Sequence, residues 1–236
     1  MLERLDKSFA HISKFSADIA HELRTPLTNL RGEAEVALSK QRPAEEYREV
    51  LASSLEEYTQ ISGVIDRLLF LALAERSEGC LERKMVNVGD ELMSIAGFFE
   101  PAATEMNLGI QLAANGDLCM SADPVLVRRA VCNLVSNAIA HTPPGGTIGL
   151  AAYKQNSAIR VIVADSGTGI PAEHLPHVFD RFYRVNRTAR GHRGGAGLGL
   201  SIVQTVMNLH KGVVEISSAP GHGTCVILEF PLVTSA

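Results

Sequence analysis

Apolar residues recur at three- and four-residue intervals through the opening stretch of the chain. Phe9, Ile12, Ile19, Leu23, Leu27, Leu30, Ala34 and Ala37, with Ser16 in register, form one stripe. That spacing predicts an amphipathic helix over residues 3–40. Gln41, Arg42 and Pro43 break it, and Pro43 suits the start of a second helix. The second pattern covers 44–76, with Tyr47, Val50, Ser54, Tyr58, Ile61, Ile65, Leu68 and Ala72 on one side and Glu45, Glu49, Glu56 and Arg67 on the other. Two long helices with a short connection make an antiparallel hairpin. Alone, the hairpin leaves an apolar face uncovered along its length. We therefore expect a homodimer, two hairpins closing a four-helix bundle. The competing expectation is that the rest of the chain covers that face.

Glu78, Gly79 and Cys80 mark a candidate hinge, and the period then changes. Strands are expected at 84–88, 110–113, 147–153, 159–164, 213–217 and 225–230. Helices are expected at 90–106, 123–141 and 198–210. Such alternation predicts an α/β sandwich of one sheet and one helical layer. The chain as a whole reads as α+β. The expected domains are a hairpin at 1–78, its first ten residues the end of an upstream linker helix, and a second domain at 84–236.

Composition narrows the function. A net charge of −4 and a pI near 6.1 argue against a nucleic-acid binder that works by neutralising phosphates. Cys80, Cys119, Cys132 and Cys225 are scattered, with no Cys-x-x-Cys pair. That disfavours a zinc site and fits a reducing compartment. No apolar run approaches the ~18 residues of a membrane span, and no signal peptide is visible. The chain opens in what reads as helix at Leu2, Leu5 and Phe9, which leads us to expect further sequence upstream.

The most informative stretch is His21-Glu22-Leu23-Arg24-Thr25-Pro26. Histidine titrates near neutrality and its ring nitrogen is a good nucleophile. His21 falls about 160° from the centre of the apolar stripe, so it should face water. Thr25 lies about 40° from it on the same face, and Glu22 about 100° away. A histidine on a polar face is ordinarily just solvated, but these neighbours are suited to chemistry. Glu22 can accept or orient the imidazole proton, Thr25 can position a water, and Pro26 loosens the helix beyond. A His-Glu-x-x-His zinc site is excluded, because position 25 is threonine.

Four further segments carry candidate chemistry. Asn133, Asn137 and His141 are spaced by four on one helix face, and amide oxygens suit Mg²⁺ held between phosphate oxygens. Asp165 follows an apolar strand and precedes Gly167 and Gly169. A carboxylate there can accept from an exocyclic amine such as adenine's, and the glycines let the backbone approach a ligand closely. Gly194, Gly195, Gly197 and Gly199 open a helix, with Ala196 and Leu198 among them, presenting backbone N–H groups to phosphate. The spacing is neither a P-loop nor a dinucleotide fingerprint. The Arg- and Gly-rich 184–193 suits a mobile cover over a nucleotide. Thr224, after Gly221-His222-Gly223, could donate to a phosphate. Each of these segments, alone, reads more simply as surface, turn or hairpin end.

Their order and spacing together are far more specific. The chain resembles the bacterial sensor histidine kinases of two-component systems, over nearly its whole length. His21 to Leu27 matches the H box of that family and Asn133 to Asn137 its N box. Asp165 to Gly169 and Gly195 to Gly199 match its two glycine boxes, and Phe179-Asp180-Arg181-Phe182-Tyr183-Arg184 its F box. The residues around the H box, Phe15 to Ala20 and Glu35 to Leu38, look most like the heavy-metal-sensing branch.

The resemblance implies a dimerisation and phosphotransfer hairpin followed by an ATP-binding domain of the gyrase and Hsp90 type. His21 would be the phosphoacceptor, Glu22 its general base, and Thr25 the residue that positions water when the hairpin dephosphorylates a response regulator. Asn137, helped by Asn133, would hold Mg²⁺. His141, where many relatives carry an aromatic, would lie along the phosphates or sugar. Asp165 would read the adenine amine, with Gly167, Gly169, Tyr183, Arg184, Gly195, Gly197, Leu198, Gly199 and Thr224 completing the ATP site. Ala140 departs from the lysine that relatives often carry beside the phosphates. The implied partners are a second copy and a receiver domain, with the membrane reached only through upstream segments, so that this chain is the cytoplasmic portion of an inner-membrane protein. Two other readings compete: a gyrase- or Hsp90-like ATPase without phosphohistidine, and a non-catalytic dimeric scaffold.

Overall fold

A computed structural model describes residues 2–74, 81–114, 116–185 and 196–232, apart from the side chains of residues 2–15 and 21. The chain divides into two units, Met1–Ala72 and Leu73–Ala236.

The first unit is a pair of helices, α1 (Leu2–Leu38) and α2 (Ala44–Ala74). α1 runs on through Pro26, so the proline does not end the helix. Arg42 shapes the connection: its guanidinium donates to the Val36 carbonyl at 3.1 Å and pairs with Glu46 at 2.8 Å. Asn29 Nδ2 donates to Glu57 Oε1 at 3.3 Å and Ser53 Oγ to Glu33 Oε1 at 3.1 Å. Numbers that rise on one helix as they fall on the other make the pair antiparallel. Ala37 and Leu71 are buried in its seam, and so is Glu57.

Much of the apolar surface of the hairpin is not in that seam. Leu51, Leu55, Tyr58, Ile65, Leu69 and Leu73 are between 42% and 68% exposed, and Leu27 on α1 is 53% exposed. The α2 residues fall within about 40° of one line along the helix. The expected α2 stripe shares Tyr58 and Ile65 with this line but omits Leu51, Leu55 and Leu69. Helix α2 is apolar over a wide arc, and the sequence pattern ran its inner and outer faces together.

The second unit begins with β1 (Lys84–Asn87) and α3 (Val88–Glu105), then β2 (Gly109–Ala114), β3 (Cys119–Ala122) and α4 (Pro124–His141). The hairpin of β4 (Thr147–Gln155) and β5 (Ala158–Asp165) follows. A 3₁₀ turn at Leu175–His177, α5 (Gly199–Leu209), β6 (Val213–Ser218) and β7 (Thr224–Pro231) complete it. Five strands form one sheet in the order β2-β4-β5-β7-β6, parallel at β2-β4 and otherwise antiparallel.

A second, two-stranded sheet pairs β1 with β3, where one sheet was expected. The strand β3 escaped the sequence reading because only four residues carry it and its single partner is β1. Helix α3 starts earlier than expected, because the Asn87 side chain caps it by accepting from the Gly89 and Asp90 amides.

Alternate residues of the sheet point into one core. Ile148 and Leu150, Val161 and Val163, and Val226, Leu228 and Phe230 are buried against Val131 and Val135 of α4 and Ile202, Val203 and Val206 of α5. The other face is more open and carries the Arg160–Glu229 ion pair at 2.6 Å. The helical layer therefore lies on one side of the sheet, and the ends of α4 and α5 set the site.

Candidate nucleotide and phosphoacceptor sites

Helix α4 places Asn133 and Asn137 one turn apart, and α5 brings its first residue against them. A side chain at Gly199 would meet Asn133 Oδ1 and Asn137 Nδ2, each at 3.4 Å. Asn133 Nδ2 is spent on the Arg129 carbonyl at 2.8 Å, which turns its oxygen outward. So the start of a helix, with N–H groups unused by the helix itself, opposes two side-chain amides. Leu198 precedes it with its side chain buried in the core, so only its backbone is available to a ligand. Gly194, Gly195 and residues 186–193 of the Arg- and Gly-rich stretch, expected as a cover, lie outside the described residues.

Asp165 ends β5. Its Oδ1 accepts from the Gly167 amide at 2.8 Å and the Thr224 amide at 3.2 Å. Oδ2 has no hydrogen-bond donor among the described residues. Burial raises the Asp165 pKa, against the lowering effect of those two amides and of His141. Gly167 and Gly169 were expected to let the backbone approach a ligand closely. The groups that approach are the chain's own: added side chains would meet the His141 carbonyl at 2.6 Å and the Ala219 carbonyl at 1.9 Å. These glycines shape the loop around Asp165.

Thr224 belongs with Asp165 and not with the asparagine face. Its hydroxyl lies 3.0 Å from Ser218 Oγ, which itself accepts from the Ile170 amide at 2.8 Å. The sequence did not single out Ser218, a polar residue at a strand end with nothing local to mark it. His141 is exposed at the end of α4, and its carbonyl accepts from the Thr168 amide at 3.2 Å. Tyr183 shares a hydrogen bond with His174 Nδ1 at 2.8 Å, and its ring lies 5.5 Å from that of His177. Neither histidine was a sequence candidate. The Phe182 amide donates to the Gly197 carbonyl at 2.9 Å, so residues on either side of the undescribed 186–195 stretch meet. Arg184 is half-buried there.

In the first unit, α1 carries Glu22, half-buried, and Thr25, exposed one turn on. The backbone of His21 lies in the same helix, and its side chain lies outside the described residues. Among the described residues, no group of three or more His, Cys, Asp or Glu could hold a metal ion. A cation here would be shared between amide oxygens and phosphates, an arrangement that suits Mg²⁺.

Two family models match the two units in turn. The His Kinase A (phospho-acceptor) domain matches residues 11–77, and the Histidine kinase-, DNA gyrase B-, and HSP90-like ATPase matches residues 122–234. A helical hairpin with a phosphoacceptor histidine, joined to a nucleotide-binding α/β sandwich, defines a protein-histidine kinase. The chain belongs to the sensor histidine kinase family. It is 43% identical over 232 residues to Sensor histidine kinase CusS of Escherichia coli strain K12, across 98% of this chain and 48% of that protein. It is 41% identical over 231 residues to Sensor protein IrlS of Burkholderia pseudomallei, across 98% and 49%. The chain thus spans about half the length of the curated relatives it matches. Among solved structures, full-length ShkA in complex with AMPPNP superposes with a TM-score of 0.71 at 26% identity, over 93% of this chain and 46% of that one. ThkA in complex with the response regulator TrrA shares the fold, with a TM-score of 0.75 at 24% identity, over 96% and 63%.

Proposed function

We propose that this chain is the catalytic portion of a two-component sensor kinase that phosphorylates its own His21 from ATP and passes the phosphoryl group to a response-regulator aspartate. The observation that carries the reading is one chain with both halves of the chemistry. It has a His-Glu-x-x-Thr helix and a separate unit where a glycine-opened helix faces Asn133 and Asn137. The structure of ShkA with AMPPNP and that of ThkA with TrrA give precedents for an ATP analogue and a response regulator on this fold.

In this reading Asp165 Oδ2 accepts from the adenine amine while the α5 amides and Arg184 take the phosphates. His141 lies along phosphates or sugar. Asn137, with Asn133, holds Mg²⁺, which neutralises phosphate charge. A ring nitrogen of His21 attacks the γ-phosphorus, the bond to ADP breaks, and Glu22 takes or orients the ring proton. Catalysis is mainly positioning and charge neutralisation. Thr25 positions water when the regulator is dephosphorylated on the same helix. The exposed line on α2 packs against a second copy. Among the described residues no helix is long and apolar enough to cross a membrane. Membrane attachment, and the heavy-metal sensing that the residues around the H box suggest, belong to segments outside this chain.

The test is incubation with labelled ATP and Mg²⁺. Wild type should take up label that is acid-labile and base-stable. His21→Gln should take up none yet still bind a fluorescent ATP analogue. Label persisting in His21→Gln removes His21 as acceptor, and ATP turnover without any label favours the simple ATPase.

A further inference from the structure

Away from the nucleotide face, the second unit encloses one imidazole whose ring nitrogens are both engaged. His210 caps the C-terminal end of α5 and is 2% exposed. Its Nε2 lies 3.1 Å from the Asp123 backbone nitrogen and its Nδ1 2.8 Å from the Val206 carbonyl. A backbone N–H can only donate, so Nε2 must accept. A carbonyl can only accept, so Nδ1 must carry the proton. The partners thus select the neutral ring in a single tautomer. The Phe230 ring from β7 packs edge-on at 5.5 Å and fixes its plane.

Asp123 is the other half of this contact, and its groups are committed in three directions. Its N–H goes to His210. Its Oδ1 accepts from the Val125 and Leu126 amides at 3.0 and 3.2 Å and so caps α4. Its Oδ2 accepts from the Glu82 amide at 3.1 Å, just before β1. The start of α4, the end of α5 and the segment that follows the candidate hinge in sequence therefore meet at one pair of residues.

The contact sits at the far end of an antiparallel helix pair. Gly199, the first residue of α5, touches Asn133 and Asn137 toward the end of α4. His210, just past the end of α5, meets Asp123, just before the start of α4. Asp123 and Asn137 are about 20 Å apart along the helix. Val131 and Val135 of α4 and Ile202, Val203 and Val206 of α5 are buried between the two ends, and a hold at the far end limits any pivot about that core that would change the spacing at the near end. The spacing at the near end sets how the α5 amides and the asparagine oxygens share a triphosphate, and errors on the order of 1 Å are costly in such a site.

We propose that His210 is a positioning residue for the nucleotide face, pinning the remote ends of α4 and α5 and, through Asp123, tying the backbone at Glu82 to the same pin. The proposal rests on the reading that α4 and α5 hold the triphosphate. A single proton undoes the pin, because a protonated Nε2 turns a second N–H toward the Asp123 N–H. The charged groups facing the ring are the Asp123 carboxylate, which favours protonation, and the Arg83 guanidinium, which opposes it. Val206 on α5 and Phe230 on β7 bring no charge. Burial is the largest influence and holds the imidazole below its ordinary 6.5. The sign follows from linkage. The pin contributes fully above the unfolded pKa and is lost as pH falls from there through the lower folded value.

The experiment compares wild type, His210→Gln and His210→Leu as the full chain. Glutamine places Oε1 where Nε2 accepts and does not titrate; leucine removes both bonds. Affinity for a fluorescent ATP analogue is measured from about pH 8 to about pH 5.5, across the range where histidine titrates. At the upper end, His210→Gln should bind within about twofold of wild type and His210→Leu about tenfold more weakly, the cost of one stranded buried donor. As pH falls through the lowered folded value of the ring, wild type should weaken relative to the glutamine variant. Groups common to both proteins cancel from the ratio. Nitrogen NMR of the wild-type ring should show an unprotonated Nε2. Equal affinity of wild type and His210→Leu at the upper end, or a proton on Nε2 there, overturns the pin. Failure of wild type to bind the analogue at all overturns the nucleotide reading instead. If His210→Leu does not fold, the glutamine comparison and the NMR signature decide.

Discussion

Asp165 ends its strand with one oxygen bonded to two backbone amides and with its pKa raised by burial. A raised carboxylate pKa means that ionisation opposes folding. Between the unfolded 3.8 and the higher folded value, stability falls as pH rises, and above that the cost is complete. A residue whose ionisation costs stability at neutral pH fits the adenine-binding role proposed above. Asp165→Asn keeps an acceptor for both amides and removes the charge. It should leave the melting temperature unchanged or raised while weakening the ATP analogue about tenfold, since a charged acceptor contributes more than a neutral one. Unchanged affinity by calorimetry would take Asp165 out of the adenine contact. Binding by wild type should also weaken as acid protonates Asp165.

At the scale of elements, the turn between β6 and β7 shows how tightly the loop around Asp165 is closed. Gly221 and Gly223 both have positive φ, 77° and 73°. A side chain at Gly221 would meet nothing, whereas one at Gly223 would lie 1.8 Å from the Asp165 carbonyl oxygen. Gly221→Ala pays only the backbone strain, about 1 kcal/mol. Gly223→Ala adds a clash with a strand that cannot move without shifting Asp165, and should lose at least about 3 kcal/mol. Equal midpoints for the two variants in urea denaturation would mean that the turn yields at Gly223 without disturbing Asp165. The Asp123–His210 contact belongs to the same scale, because it acts by holding two helices and not by touching a ligand.

For the whole molecule, the open question is what covers α2. Leu51, Leu55, Tyr58, Ile65 and Leu69 leave a long apolar line in water, and each leucine gains about 1.5–3 kcal/mol when buried. In the dimer proposed above, a second hairpin would satisfy that line with a matching one. Leu55→Glu with Leu69→Glu should therefore give a folded monomer by sedimentation velocity, at concentrations where wild type is a dimer. The hairpin seam, held by Ala37, Leu71 and the Asn29–Glu57 and Ser53–Glu33 contacts, does not use those leucines. A dimer of wild-type affinity in the double variant would assign the line another partner.

The helices and most strands were legible in the chain because their signals are local. Periodicity needs only neighbours within a few residues, and caps such as Asp123-Pro124 need only the next turn. The candidate residues were legible for the same reason, as short runs of chemically apt side chains at fixed spacing. What the sequence could not decide is whatever depends on residues far apart in the chain. The partner that made β3 a strand, the buried and open faces of α2, Thr224 beside Asp165, and Ser218, His174 and His210 as partners were all of this kind. Each is an isolated polar or apolar residue whose role is set by what another segment brings to it, and only the tertiary structure supplies that second segment.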